Sequence, residues 1–415
     1  MFTRLRRKAK KKFHPIIDKI IKPVIGRATI LATPFLTERP PLSVIFSDKN
    51  YQLFFGYYDL TPFSADSKKL LACRVPTDHI SPHSSNAEME VGYFALNEKE
   101  PFFTKLGTTS TWNWQQGCRL QWLDRDQIIY NNFIDGSYVS VVTNLDTKEA
   151  KLIEFPIYSV APNGRDVLTL NFSRLHRLRP GYGYHNIADE TIDLATPEND
   201  GLWLADLGTG GKKLLVSLKG MAEYDPHPEM ENKTHYINHL DFSPDGNIIC
   251  WTHLWVNEYN EKKSRLFICN KDGSNIRCLN NTGKVSHYCW YEQNKLMVYS
   301  RAPDKKLYYI IYDLQNGRQT IYGADHLKED GHPSWIEGQK ILTDTYPDIL
   351  RRQHLMIYDE EKSNLRKIGS FNTPVDFTGE LRCDLHPRLS ADKKMGCVDI
   401  VQDRKRAICV FPISK

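Results

Sequence analysis

What most constrains this chain is a strand–turn–strand unit that recurs along it. Its clearest copy is Arg382-Cys383-Asp384-Leu385-His386-Pro387-Arg388-Leu389-Ser390-Ala391-Asp392, a short strand and a polar turn, followed by a second strand from Met395 to Val401. Asp241 to Gly246 and Pro62 to Ser67 carry the same turn ahead of a β-rich run, and weaker copies turn near Arg125, Asn163, Gln293 and Gly338. Three residues before each turn anchor stands an apolar residue: Phe63, Trp122, Val160, Phe242, Trp290, Trp335 and Leu389. The mean period from Asp66 to Asp392 is about 54 residues, and a repeat of that size buries its apolar faces only by stacking on its neighbours.

Each unit has a second half, an apolar run, a turn and another run. Leu266 to Cys269 precedes Asp272-Gly273, and Tyr308 to Tyr312 precedes Gln315-Asn316-Gly317. Turns of this kind between β-rich runs are hairpin signals. Seven first halves and seven second halves predict an all-β fold, a seven-bladed β-propeller over 42–415, with a short basic helical extension and linker over 1–41. Ser43 to Phe46 is expected to pair with the last blade and close the ring. One step is too long: Asn163 to Asp245 spans 82 residues. The excess, at 176–200 and 220–235, predicts insertions on one rim, where long loops carry function.

The net charge of +5 conceals an uneven distribution. Residues 1–27 hold ten Lys/Arg against Asp18, which leaves −4 for the rest of the chain. The body therefore gives no general reason to bind nucleic acid. Apolar Phe2, Leu5, Phe13, Ile16, Ile17, Ile20, Ile21 and Val24 lie between those cations. The segment reads either as a basic amphipathic helix on an anionic membrane surface or as a solvated tail. No apolar run suits a secretory signal or a membrane span. Nine scattered cysteines without a CxxC fit a reduced compartment. The expected location is cytoplasmic, and on the amphipathic reading residues 1–27 make peripheral contact with the inner membrane face.

Six residues before the turn anchors stand Leu60, Arg119, Ile157, His239, His287, His332 and His386. Four histidines at one repeat position, in a chain with 14 among 415 residues, far exceed chance. Equivalent positions on successive blades point the same way, so four imidazoles are expected to converge on the axis. Converging imidazoles hold ions such as Mn or Zn, or hydrogen-bond to one another and to water. The metal set expected here is His287, His332 and His386, with His239 adjacent. Asp344 and Asp348 follow the His332 turn and suit support of such ligands.

Asn171 to Tyr184 carries Arg174, Arg177 and Tyr182 out of a strand into the insertion, and Arg suits bidentate carboxylate binding. Tyr158 lies one residue beyond the repeat position. Gln115 and Gln116, after Trp112-Asn113-Trp114, and Tyr57 and Asp59 suit sugar faces and hydroxyls. The chain has no P-loop, GxGxxG, GxSxG or HExxH, so it carries no nucleotide fingerprint or serine elbow.

Over roughly 50–415 the chain resembles the β-propeller polysaccharide lyases, namely the oligogalacturonate lyases and the propeller-type ulvan lyases. The resemblance rests on Gly331-His332-Pro333-Ser334-Trp335 with Thr343-Asp344-Thr345-Tyr346-Pro347, on Cys383-Asp384-Leu385-His386-Pro387, and on Pro156-Ile157-Tyr158-Ser159 leading to Asn171-Phe172-Ser173-Arg174-Leu175. It implies a seven-bladed enzyme that cleaves beside a uronic acid by β-elimination, aided by a divalent metal. By that resemblance Tyr158 or His239 is the base, and Arg174, or a metal on the histidines, neutralises the carboxylate. Helper histidines of the ulvan lyases are replaced here by the amides Gln115, Gln116, Asn131 and Asn132. The implied function is a lyase for a uronic-acid-containing glycan. The alternative is a non-catalytic propeller that binds a glycan or partner in surface-polysaccharide assembly.

Overall fold

The computed structural model describes residues 37–77, 87–256 and 261–413. The basic segment 1–27 lies outside them. Seven four-stranded antiparallel sheets form the ring. Blade 1 comprises Tyr51–Phe54, Lys69–Pro76, Met89–Ala95 and Phe103–Thr109. Blades 2 to 6 span 121–153, 159–217, 235–280, 285–322 and 334–372. Blade 7 takes Arg388–Leu389, Met395–Gln402 and Lys405–Pro412, and its outermost strand is Val44–Phe46 from the other end of the chain. Val44 pairs with Val410 and Phe46 with Ile408, which is the expected closure. No helix among the described residues is long and apolar enough to cross a membrane.

The recurring turn has a local cause. In blade 4 the Ser243 hydroxyl donates to Asp245 (2.5 Å) and accepts from the Ile248 amide (2.9 Å), while Asp245 accepts the Asn247 amide (3.1 Å). Ser64 with Asp66 and Ser390 with Asp392 repeat the arrangement. A serine and an aspartate two residues apart thus satisfy the turn's amides with side chains, as such residues do in turns.

Sheets pack face to face, and apolar clusters join every neighbouring pair. One contains Leu53, Leu71 and Val91 of blade 1, Leu120 and Ile128 of blade 2, and Cys397 and Ile408 of blade 7. Others join blades 2 and 3, 3 and 4, 4 and 5, 5 and 6, and 6 and 7.

The long step is accounted for by excursions from blade 3. One leaves after Asp166–Thr169 and begins as helix α1 (Phe172–Leu178). The Arg174 stretch does leave a strand, and it does so as a helix: the Asn171 side chain caps it by accepting the Arg174 amide (2.9 Å), and Phe172 and Leu175 bury its apolar face. The second excursion follows blade 3 with helix α2 (Leu218–Glu223). Both lie at the end of the ring where the inner strands begin, the end that carries the histidines.

Candidate functional site

The repeat position stands just before an inner strand in blades 2, 3, 6 and 7 and within it in blades 4 and 5, and in three blades the backbone there is left-handed: φ is 56° at Arg119, 54° at His239 and 46° at His386. Such a residue breaks the alternation of side chains along a strand. In blade 4 the pairing register shifts between Asn238 and Asp241.

The four histidines do converge. The rings of His287 and His332 are 4.2 Å apart and those of His332 and His386 4.5 Å. Tyr57 sits among them, its ring 4.7 Å from His386 and 5.0 Å from His239, on which it stacks. Its hydroxyl is buried without a partner, and burial holds its pKa well above the usual phenol value.

Three of the rings are oriented through Nδ1, whereas His239 meets the Asn238 side-chain amide through Nε2 (3.2 Å). His332 Nδ1 meets both Asp344 oxygens (2.9 and 3.0 Å), and the same carboxylate accepts the His332 amide at 2.8 Å. Gly331 makes room for this, because a Cβ there would lie 2.1 Å from the Asp344 carbonyl oxygen. His386 Nδ1 lies 2.8 Å from the Gly56 carbonyl oxygen. A carbonyl only accepts, so the proton is on Nδ1 and the Nε2 lone pair of neutral His386 is bare. His287 Nδ1 meets Asp330 at 2.9 Å. Burial, and then His332, hold His386 well below the usual histidine value. Burial also lowers His287 and, further, His239. For His332 burial pulls down, but Asp344 outweighs it and the net shift is upward.

The Nε2 atoms of His332 and His386 are buried and without a hydrogen-bond partner. Their ligand atoms and a carboxylate oxygen of Asp384 lie within 4.8 Å of one another. Orphaned imidazole nitrogens, with their other nitrogens held by acceptors, fit a divalent cation. The trio differs from the one expected: Asp384 stands where His287 was placed, and His287 packs on His332 with its own carboxylate. Asp384 was missed, although Asp-x-His is legible. In an extended segment residues i and i+2 share a side, and Leu385 between them is buried in the core.

The other candidates divide. Tyr182 is at the site, its ring 5.9 Å from His239 and 6.0 Å from Tyr57. Its hydroxyl accepts from Arg382, and the Arg179 guanidinium lies 4.7 Å from its ring. Burial would raise Tyr182, but Arg382 and Arg179 together lower it. Burial, then Arg179, push nearby Lys262 down to about 8. Arg179, Lys262 and Arg382, the last paired with Asp384 at 2.6 Å, thus make a cationic cluster that the sequence reading did not single out. Gln115 donates to the Glu380 and Arg382 carbonyls (3.0 and 2.9 Å), and Gln116 to the Tyr158 hydroxyl (2.8 Å).

Four placements depart from expectation. Arg174 directs all five N–H groups to the protein: Nε to His235 O (2.8 Å), Nη1 to Thr191 O and Oγ1, Nη2 to Leu194 O and Ala195 O. No N–H is left for a substrate carboxylate. The Tyr158 hydroxyl is enclosed by Gln116, Asn238 Oδ1 (3.0 Å) and the His239 amide (3.1 Å), and burial raises its pKa. A phenol so surrounded is poorly suited as a base. Asp59 faces the opposite side of the channel, paired with Arg119 at 2.9 Å, and Arg177 pairs with Asp189.

No family model matches the chain, and no curated protein matches it. Solved structures do. An oligogalacturonate lyase from Vibrio parahaemolyticus is 14% identical, covers 91% of this chain and 96% of its own, and superposes with a TM-score of 0.62. An oligogalacturonate lyase in complex with manganese gives 0.63 at 14% identity with the same coverage. The tricorn protease gives 0.50 at 12% identity, with 34% of its own chain covered. The propeller fold is therefore shared with lyases and with at least one protease.

Proposed function

We propose that this propeller binds a divalent cation, manganese or zinc, on its axis and acts as a lyase on an oligosaccharide containing a uronic acid. The observation that carries the reading is the pair of bare, buried Nε2 atoms of His332 and His386 beside Asp384. The likeness in fold to an oligogalacturonate lyase solved with manganese supports it. His332, His386 and Asp384 would hold the ion, which when bound supplies positive charge to a carboxylate.

The protein's own groups do the rest. Arg179, Arg382 and Lys262 attract the acid and orient it, and an anion offsets the burial and then the like-charge crowding that depress Lys262. His239, half-buried and kept neutral by burial, takes the proton from C5 of the uronate. As that C–H bond breaks, its electron pair moves into the bond between C5 and the carboxyl carbon, and then forms the C4–C5 double bond as the C4–O bond breaks and the 4-oxygen leaves. Tyr57, held protonated, donates a proton to that oxygen.

The test is calorimetric titration with Mn²⁺ and Zn²⁺, followed by an absorbance assay for unsaturated uronate on glucuronate and galacturonate oligosaccharides. Asp344→Asn, which loosens His332, is expected to weaken metal binding about 10–100-fold. His239→Ala is expected to lower kcat about 10²–10⁴-fold with metal affinity unchanged. Failure to bind either metal would overturn the reading. Binding of metal and sugar without product would favour the non-catalytic glycan-binding propeller. The amides Gln116 and Asn238 around Tyr158, which carry no transferable proton, speak for that second reading.

A further inference from the structure

The channel has a second mouth, at the end where the first turn of each blade lies. A cavity of about 370 Å³ there is lined by Asp59, Asp241, Trp290, Trp335, Arg388 and Lys393 among others. It adjoins another of about 520 Å³ that shares Asp59, Asp241 and Trp290 and is walled by Trp122. Tyr58 separates it from the histidines. The Tyr58 ring lies 5.1 Å from His332, while its hydroxyl donates to Tyr288 O (2.8 Å) and accepts from Tyr288 N (2.9 Å). The three tryptophans, with Val160, are the half-buried members of the apolar repeat position.

The charges of the smaller cavity are unevenly matched. Asp59 pairs with Arg119 at 2.9 Å and Arg388 with Asp399 at 2.8 Å. Asp241 accepts the Phe242 amide (2.9 Å) but pairs with no cation among the described residues. Lys393 pairs with no carboxylate among them, and the two do not pair with each other. Both show the consequence. Burial and then Asp59 push Asp241 up to about 8, and burial pushes Lys393 down. An ion removed from water without a counter-ion is destabilised, and a ligand that brings one restores it.

We propose that this mouth binds a small zwitterion, with its ammonium on Asp241, its carboxylate on Lys393 and its apolar body against Trp290 and Trp335. The volume is in the range of small-molecule sites, about 300–1,000 Å³. Tryptophan faces also attract an ammonium. A neutral sugar would leave both ions unmatched, and a simple amine or acid would leave one. The site is independent of the histidine cluster.

The probes are ω-amino acids of increasing length, from glycine to 8-aminooctanoate, and L-phenylalanine, titrated calorimetrically into the intact protein. At least one is expected to bind saturably. Its N-acetyl and its amide forms are each expected to bind at least about tenfold more weakly, the scale of one lost ion pair in a partly buried site. Asp241→Asn should remove the penalty for acetylation, and Lys393→Met that for amidation. The capped ligands test the same contacts without any variant. No binding across the series, or equal binding of capped and free forms, would overturn the proposal. So would unchanged affinity in folded Asp241→Asn protein.

Discussion

At the scale of single residues, a buried histidine is defined by what holds its second nitrogen. At His332 and His386 an acceptor holds Nδ1 and leaves Nε2 bare. Beneath the insertion a second set is fully closed. Arg265 Nε donates to His253 Nδ1 (3.0 Å), His253 Nε2 meets His235 Nδ1 (2.9 Å), and His235 Nε2 meets Met230 O (3.2 Å). A guanidinium only donates and a carbonyl only accepts, so every proton in this chain is assigned. A second proton on His235 would set N–H against N–H. Burial pushes His235 down to about 4 and His253 well below its usual value. The folded state therefore keeps His235 neutral while the unfolded chain takes a proton near pH 6.5. Stability is fully present above that pH and falls as pH drops toward 4, by about 3 kcal/mol for His235 alone. Urea unfolding between pH 7.5 and 4 measures this. His235→Asn should flatten the slope, and an unchanged slope would refute the assignment.

At the scale of elements, the insertions are anchored by buried arginines. Arg174 ties 191–195 to blade 4 through backbone carbonyls, and Arg265 does the same for Met221, Tyr224 and Asp225. Each carbonyl left without its donor in a buried place costs about 1–3 kcal/mol. Arg174→Lys offers three donors in place of five, so it should destabilise by about 3 kcal/mol, read as a lower urea midpoint. Metal affinity on the axis should not change. A stable Arg174→Lys protein with impaired sugar binding would return Arg174 to the ligand site. The helical start at Asn171 was legible as a cap followed by apolar residues at 172, 175 and 178. The carbonyls that occupy Arg174 were not, because they are presented by a loop whose path depends on packing.

At the scale of the whole molecule, the ring is closed by three residues. Val44–Phe46 covers the edge of Lys405–Pro412, and Phe46, 6% exposed, packs 4.9 Å from Phe94 of blade 1. Phe46→Ala should cost about 3–5 kcal/mol through the cavity it leaves. Deleting residues 1–46 should bare an unpaired strand and drive self-association, visible by size-exclusion chromatography. A monomeric truncation of unchanged melting temperature would show that the closing strand is dispensable.

The sequence by itself determined the blade count, the turns, the closing strand and the convergence of His239, His287, His332 and His386. These follow from the repeat, since a period read once applies to every blade, and a Ser-x-Asp turn is satisfied within six residues. Tertiary structure alone decided the rest. Packing decided that Asp384, rather than His287, lies with the bare nitrogens of His332 and His386, His287 being held by Asp330. Tyr158 and Arg174 are enclosed by partners up to 81 residues away in sequence. Arg179, Lys262 and Arg382 meet over Tyr182 from three separate segments, and Asp241 and Lys393 share a cavity across 152 residues of chain. Periodicity reports which way a repeat position points; it carries no information on which non-repeating side chain the folded ring brings to meet it.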